Sequence, residues 1–224
     1  MGFTAAMRKL ISSTFVSLDG VMQAPGGPDE DRTGGFTLGG WTAPLFDESM
    51  GSWMDRTFAT QFDLLLGRRT YEIFAAYWPH HTDSLVGEAF SRAHKYVASH
   101  RLHDPAWEHT TVLSGNVPEQ VAALKGQDGP DLLLQGSGNL IQSLLTAGLI
   151  DEVRVLVFPL LLGPGKRLFA EGTIPAGLRL TEDEVSQSGV VMASYALGGP
   201  VATGSFTDED PSQDEPDRRS GPQD

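Results

Sequence analysis

Two rhythms of apolar residues run along the chain. Leu64–Leu66 and Leu132–Leu134 are continuous apolar runs, as expected of strands buried on both faces; a half-exposed strand would alternate instead. Elsewhere the spacing is helical: Met50, Trp53, Met54 and Phe58 share one face of a helix that opens at Asp47 and runs to about Thr60. RKLISSTFV (8–16) predicts a first strand. YEIFAAYW (71–78) continues as a helix until Pro79, with Trp78 as an apolar cap. KYVASH (95–100) and TTVLSG (110–115) predict short strands, and VPEQVAALKG (117–126) a one-faced helix closed by Gly126. DLLLQGSGNLIQSLLTAG (131–148) reads strand, glycine turn, helix. IDEVRVLVFPLLLG (150–163) is the longest strand run, and LRLTEDEVSQSGVVMASYAL (178–197) a hairpin turning near Ser188 and Gly189. Strands alternate with helices until the end, where strands follow one another. That order predicts one α/β domain over residues 8–200, its sheet mostly parallel with an antiparallel C-terminal edge.

Between the first strand and the Asp47 helix lies APGGPDEDRTGGFTLGG (24–40), a long Gly/Pro-rich loop of the kind that is usually functional or mobile. Residues 1–7 read as a flexible leader, with Met7 as an alternative start. Residues 201–224 read as a disordered acidic tail: from Gly204 onward seven acids face only Arg218 and Arg219, with no aliphatic residue to bury. The formal charge of −13 argues against a broad nucleic-acid surface. Serine and threonine interrupt the apolar residues of the N-terminal stretch, which excludes a signal peptide, and VLVFPLLLG is too short to span a bilayer. With no cysteine in the chain, disulfides and thiolate chemistry are excluded, in keeping with a soluble, cytoplasmic protein.

Three strand ends carry anion-type chemistry. Gly67-Arg68-Arg69-Thr70 follows one leucine run; Ser99-His100-Arg101 follows KYVA; Gly136-Ser137-Gly138-Asn139 stands where a buried strand turns into a helix. Glycines there let a ligand approach the backbone, and the first N–H groups of a helix face an anion. Each element alone is also what ordinary capping and surface charge produce, and the glycine turn lacks the third glycine of the G-x-G-x-x-G fingerprint. Together, at strand ends of one sheet, they are what a dinucleotide lying across the sheet edge would use. The His80–His81 pair and the His100/His103/His109 group lack ligand spacing with carboxylates, so no metal site is expected, and Ser137 sits in no nucleophile elbow.

The ordered set SLDG (17–20), LLLGRRTYE (64–72), KYVAS (95–99), QGSGNLIQSLL (135–145) and LIDEVRVLVFPLLLGPGKRLF (149–169) resembles the dihydrofolate reductase-like superfamily. The resemblance is closest to stand-alone relatives of the reductase domain of riboflavin biosynthesis, and covers about residues 8–198. It implies a three-layer fold and an NADPH site. Arg68, Arg69 and Thr70, after Gly67, would meet the adenosine-side phosphates. Ser99 with His100 or Arg101 would flank the 2′-phosphate, and Gly136, Ser137, Gly138 and Asn139 would cradle the pyrophosphate. Thr14 and Phe15, with the loop through Met22 and Ala24, would border the nicotinamide. The implied activity is hydride transfer to a ribosylaminopyrimidine-like acceptor, and the implied assembly a homodimer.

Dihydrofolate reductases proper place a carboxylate on the first helix. Here the matching stretch is near Ser49 to Gly51, with Asp47 and Asp55 a turn away on either side; they are the candidates for acceptor binding, while also reading as a helix cap and a solvated face. Arg56, Lys166 and Arg167 are candidate contacts for a ribose phosphate. Two other functions stay open on the sequence: folate reduction, and a non-catalytic NADP(H)-binding protein.

Overall fold

The computed structural model describes residues 7–206. The leader expected over 1–7 and the tail expected over 201–224 therefore lie outside the described residues, apart from Met7 and 201–206. The elements are β1 (Leu10–Ser17), α1 (Glu48–Phe58), β2 (Phe62–Gly67), α2 (Arg68–Tyr77), α3 (Leu85–Arg92), β3 (Lys95–Ala98), β4 (Thr110–Leu113), α4 (Val117–Lys125), β5 (Asp131–Gln135), α5 (Gly138–Thr146), β6 (Glu152–Phe158), β7 (Gly177–Val185) and β8 (Val191–Gly199).

They form one eight-stranded sheet in the order β4-β3-β2-β5-β1-β6-β8-β7. The first six strands in this order are parallel; β8 pairs antiparallel with both β6 and β7. The leucine runs explain the centre. Leu64, Leu65 and Leu66 of β2 and Leu132, Leu133 and Leu134 of β5 are buried on both faces. Leu65, Leu132 and Leu134 pack under α4 and α5 with Val121, Ile141 and Leu144. Leu64, Leu66 and Leu133 pack on the other side with Phe58, Tyr71 and Phe90 of α1, α2 and α3. A third cluster joins Met50 and Trp53 of α1 to Leu156, Phe158 and Met192, and takes in Val21, Ala24, Phe36 and Trp41 from the segment between β1 and α1.

Two elements differ from the pattern reading. The run at 150–163 ends as a strand at Phe158, because Pro159 has no N–H for a ladder; Leu160 folds back on the Phe158 carbonyl and Leu161 is exposed. The helix α3 is additional. Its signal was Ser84, whose hydroxyl accepts from the Gly87 amide, ahead of apolar residues at Leu85, Val86, Ala89 and Phe90. Among the described residues no helix is long and apolar enough to cross a membrane.

Candidate functional site: two helix N-termini and a clipped loop

Neighbouring parallel strands β2 and β5 each lead directly into a helix, so the N-termini of α2 and α5 emerge side by side. Gly136 (φ 57°) and Ser137 (φ 61°) are consecutive left-handed residues that swing the chain from β5 into α5. The Ser137 hydroxyl makes no capping bond within its own helix. It accepts the Gly67 N–H at 2.9 Å and lies 2.7 Å from Thr70 Oγ1. Gly67 has an ordinary φ of −77°; glycine is needed there for space, since a Cβ would stand 2.6 Å from Ser137 Oγ. Helices α1 and α3 receive side-chain caps from Asp47 and Ser84, whereas α2, α4 and α5 receive none. Two uncapped positive helix ends thus meet at the carboxyl edge of the sheet, where α/β folds bind anionic ligands.

The residues expected around the nicotinamide divide between the two faces of β1. Ser13 is the last β1 residue paired with β5, opposite Gln135, so Thr14 lies level with the Gly136 turn. Thr14 is buried and its hydroxyl has no hydrogen-bond partner in the protein, as is also true of Ser12. Such an orphaned polar atom costs free energy unless a water or ligand meets it. Met22 reaches the same side: a Cβ on Gly138 would be 3.3 Å from its sulfur. Phe15 and Ala24 belong to the cluster under α1, with Phe15 edge-on to Phe158 at 5.9 Å. Ala24 is buried at a φ of 49°, with its carbonyl bonded to the Gly40 amide.

The cations are distributed unevenly. Arg68 pairs with Glu72 one turn along α2. Arg69 reaches across to the long loop and meets Asp31 Oδ1 at 3.1 Å, while Lys166 meets Asp31 Oδ2 at 2.5 Å. Burial would push the Asp31 carboxyl up, but hydrogen bonds from Lys166 and Thr33, with the Lys166 charge, outweigh that and hold it at about 2. Register places Ala98 of β3 beside Gly67, so the turn after β3 flanks the start of α2. Ser99 Oγ accepts the N–H groups of Arg101 and Leu102, each at 3.0 Å, and shapes that turn. His100 and Arg101 are exposed on it, and Asn139 is exposed at the start of α5.

Of the two acidic candidates for the acceptor, Asp47 is engaged within the protein and Asp55 is open to solvent. Asp47 caps α1 by accepting from Met50 N at 3.1 Å, and its other oxygen accepts the Ser188 N–H at 2.9 Å, tying α1 to the β7–β8 turn. The backbone bonds from Ser188 and Met50 hold its carboxyl at about 2, which leaves it no proton to give near neutral pH. Asp55 is exposed to solvent. Arg56 pairs with Glu182 and Glu184, and Arg167 lies 3.8 Å from Asp19.

Sequence reasoning missed Asp31 and Gln23. Gln23 is buried; its amide Nε2 donates to the carbonyls of Asp31 (3.0 Å) and Thr33 (2.8 Å), and its Oε1 accepts Lys166 N at 3.0 Å. The one local signal was Asp31 two residues before Thr33, whose N–H and hydroxyl both donate to Asp31 Oδ1 as in an Asx-turn. An open cleft of about 440 Å³ lies beyond this clip, walled by Gln23, Phe36, Leu38, Leu162 and Lys166 among others.

The topology, the glycine turn and the paired helix ends together define a dihydrofolate reductase-like α/β protein. The chain belongs to the RibD C-terminal domain family, which it matches over residues 8–194. It is 29% identical over 197 residues to YyaP of Bacillus subtilis, covering 86% of this chain and 96% of that protein. With YwjB of the same organism it shares 26% over 176 residues, 77% and 89% of the two chains; neither relative has an assigned activity. Among solved structures, a candidate riboflavin biosynthesis protein of Shewanella sp. PV-4 superposes with a TM-score of 0.59 at 21% identity, over 85% of this chain and 99% of that one. A pyrimidine reductase-like protein of Corynebacterium diphtheriae gives 0.55 at 12%, over 85% and 92%. Dihydrofolate reductase of Enterococcus faecalis, in complex with NADP(H), gives 0.54 at 12%, over 84% and 96%. These structures share the fold.

Proposed function

We propose that the protein is an NADPH-dependent reductase of the RibD and dihydrofolate reductase type, acting on a small heterocyclic acceptor of the ribosylaminopyrimidine class. The observation that carries this reading is the junction at Ser137, where two uncapped helix N-termini are locked together beside Arg68 and Arg69. The residues fit a dinucleotide laid along the sheet edge. The first N–H groups of α5, at Gly138 and Asn139, suit a pyrophosphate, with Thr70 alongside. Arg68 and the exposed His100 and Arg101 suit a 2′-phosphate, and the orphaned Thr14 hydroxyl suits the amide of a nicotinamide ring. Bound reduced nicotinamide supplies the hydride; this chain's part is to orient the ring and keep water from it. Phe15, on the opposite face of β1, would then border the acceptor. The engaged Asp47 and exposed Asp55 speak against folate as that acceptor. A pool of reduced nucleotide and the absence of cysteine both suit the cytoplasm.

The test is a titration with NADPH and NADH followed by quenching of the four tryptophans, on the wild type, Arg68→Ala and Arg69→Ala. Two charge-assisted bonds to a 2′-phosphate, at roughly 1.5–3 kcal/mol each, give NADPH an advantage of about a hundredfold or more. Arg68→Ala should erode that advantage, and Arg69→Ala should weaken NADPH binding. Binding of neither nucleotide would overturn the reading. Tight NADPH binding without turnover on pyrimidine or pterin acceptors would leave a nucleotide-binding protein and overturn the enzymatic part.

We also propose that the protein pairs as a homodimer through the α5-side face of β7 and β8. Cross-strand register puts Leu178 opposite Leu197 and Leu180 opposite Tyr195 on that face, and β7 carries no helix over them. Leu178, Leu180 and Val191 are each more than two-fifths exposed, an apolar strip on an otherwise acidic protein. A two-fold pairing lets the same strip cover itself.

A further inference from the structure

One buried carboxylate joins the long loop to the first turn of α2. Asp31 divides its oxygens between cations from separate parts of the chain, Arg69 at the start of α2 and Lys166 in the loop after β6. Its main chain is held from behind by Gln23, which also takes the Lys166 N–H, so the carboxylate and both cations are fixed to one another. Asp31 is 7% exposed, while the Arg69 and Lys166 side chains are about half exposed. The donors that Asp31 does not use therefore face solvent. One carboxylate offsets one of the two charges, and a net positive charge remains on two side chains that have already lost their freedom. Arg69 precedes Thr70, whose hydroxyl meets Ser137 at the head of α5, so this pair of cations adjoins the helix junction.

We propose that Asp31 is a positioning residue that fixes Arg69 and Lys166 as a two-cation grip for a cofactor phosphate, and that closure of the loop over residues 24–40 and phosphate binding reinforce each other. The proposal rests on the NADPH reading above and adds Lys166 and Asp31 to it. Long basic side chains lose much rotamer freedom when they bind, and a preset pair has lost it before the ligand arrives. Asp31 stays ionised at any working pH, since its carboxyl is held at about 2. The coupling also runs backwards: a phosphate that holds Arg69 in place favours the loop conformation in which Asp31 can reach it.

The experiment uses Asp31→Asn, which keeps the shape and removes the charge, and two readouts. The first is NADPH affinity by tryptophan quenching, in Asp31→Asn, Arg69→Ala and the double variant. The second is tryptic cleavage after Arg32, an exposed residue next to Asp31. Thermal unfolding confirms that the single variants fold. The expected result is a loss of NADPH affinity of about tenfold or more in Asp31→Asn, and a loss in the double variant smaller than the sum of the two single losses, since Asp31 then has only Lys166 left to position. NADPH should protect Arg32 in the wild type and fail to do so in Asp31→Asn. If Asp31 only stands in for a ligand phosphate, removing its charge tightens binding. Unchanged or tighter binding in Asp31→Asn, or fully additive losses in the double variant, would overturn the proposal while leaving the NADPH reading intact. A wild type that binds no nicotinamide nucleotide would overturn both.

Discussion

The hydroxyl oxygens of Ser137 and Thr70 lie 2.7 Å apart, and the same Ser137 oxygen accepts the Gly67 N–H. One side chain thereby sets the separation of two helix N-termini. It does so from a left-handed backbone position, φ 61°, that costs a non-glycine residue about 1–2 kcal/mol.

Ser137→Ala keeps that strain and loses the hydroxyl. The expected loss of stability is about 1–3 kcal/mol, read from urea denaturation midpoints. Ser137→Gly also loses the hydroxyl but relieves the backbone, so it should be less destabilised than Ser137→Ala by about 1 kcal/mol. The reverse order would mean that the left-handed turn is not under strain.

Gly67→Ala tests the close approach directly. The new methyl would meet Ser137 Oγ at 2.6 Å and its Cβ at 3.0 Å, for an expected cost of about 1–3 kcal/mol. Combining it with Ser137→Gly removes both obstructing atoms. The double variant should therefore be more stable than the sum of the single losses, and simple additivity in the denaturation midpoints would refute the steric account.

Lys95 is fully buried, with one hydrogen bond to the Ser91 carbonyl and its ammonium 4.5 Å from the Trp107 ring centroid. Burial lowers its pKa from 10.5 to about 8. The folded protein then binds fewer protons than the unfolded chain between those values. This group's contribution to stability is lowest below pH 8 and rises as pH climbs from about 8 towards 10.5. Lys95→Met should be more stable than the wild type at pH 7, by about 1–3 kcal/mol, and should lack that rise when denaturation is followed from pH 7 to 10.

Asp47 has the opposite sign. Its carboxyl is held at about 2 by the Ser188 and Met50 amides, below its ordinary value of 3.8. Its stabilising contribution is complete above pH 3.8 and fades as pH falls from there towards 2. Asp47→Asn should be less stable than the wild type at pH 7, and the gap between their urea midpoints should narrow below pH 3.8. A gap that stays constant with pH would show that the charge is not what ties α1 to the hairpin.

Leu180→Asp places a charge in the middle of the exposed β7 strip. The wild type should sediment as a particle of twice 24.1 kDa, and the variant as a monomer with unchanged secondary structure by circular dichroism. A monomeric wild type would refute the dimer proposal.

Much of the fold was legible because it is written in local patterns. Three leucines at 64–66 and three at 132–134 can only be satisfied by covering both faces, and both runs became central strands. Asp47 ahead of an amphipathic stretch announced a cap, whereas the strand read over 150–163 stopped at Phe158, where the missing N–H of Pro159 ends the ladder. The short helix α3 was harder to read, since eight residues hold barely two turns of periodicity. Thr14 and Phe15, expected together at the nicotinamide, were divided between the two faces of β1 by strand alternation, and which face looks towards α5 depends on what packs there.

The sequence alone determined the central strand runs, the starts of α1, α2, α4 and α5, and the glycine-flanked Ser137, because each depends on neighbours within a turn or two. Tertiary structure decided which of those ends would meet. Inserting β5 between β2 and β1 brought Gly67 against Ser137 across 70 residues, and folding the long loop back set Asp31 between Arg69 and Lys166, 38 and 135 residues away. No local pattern encodes such pairings, since they arise when the buried faces of whole elements are packed together and the polar groups at their rims take the partners left within reach.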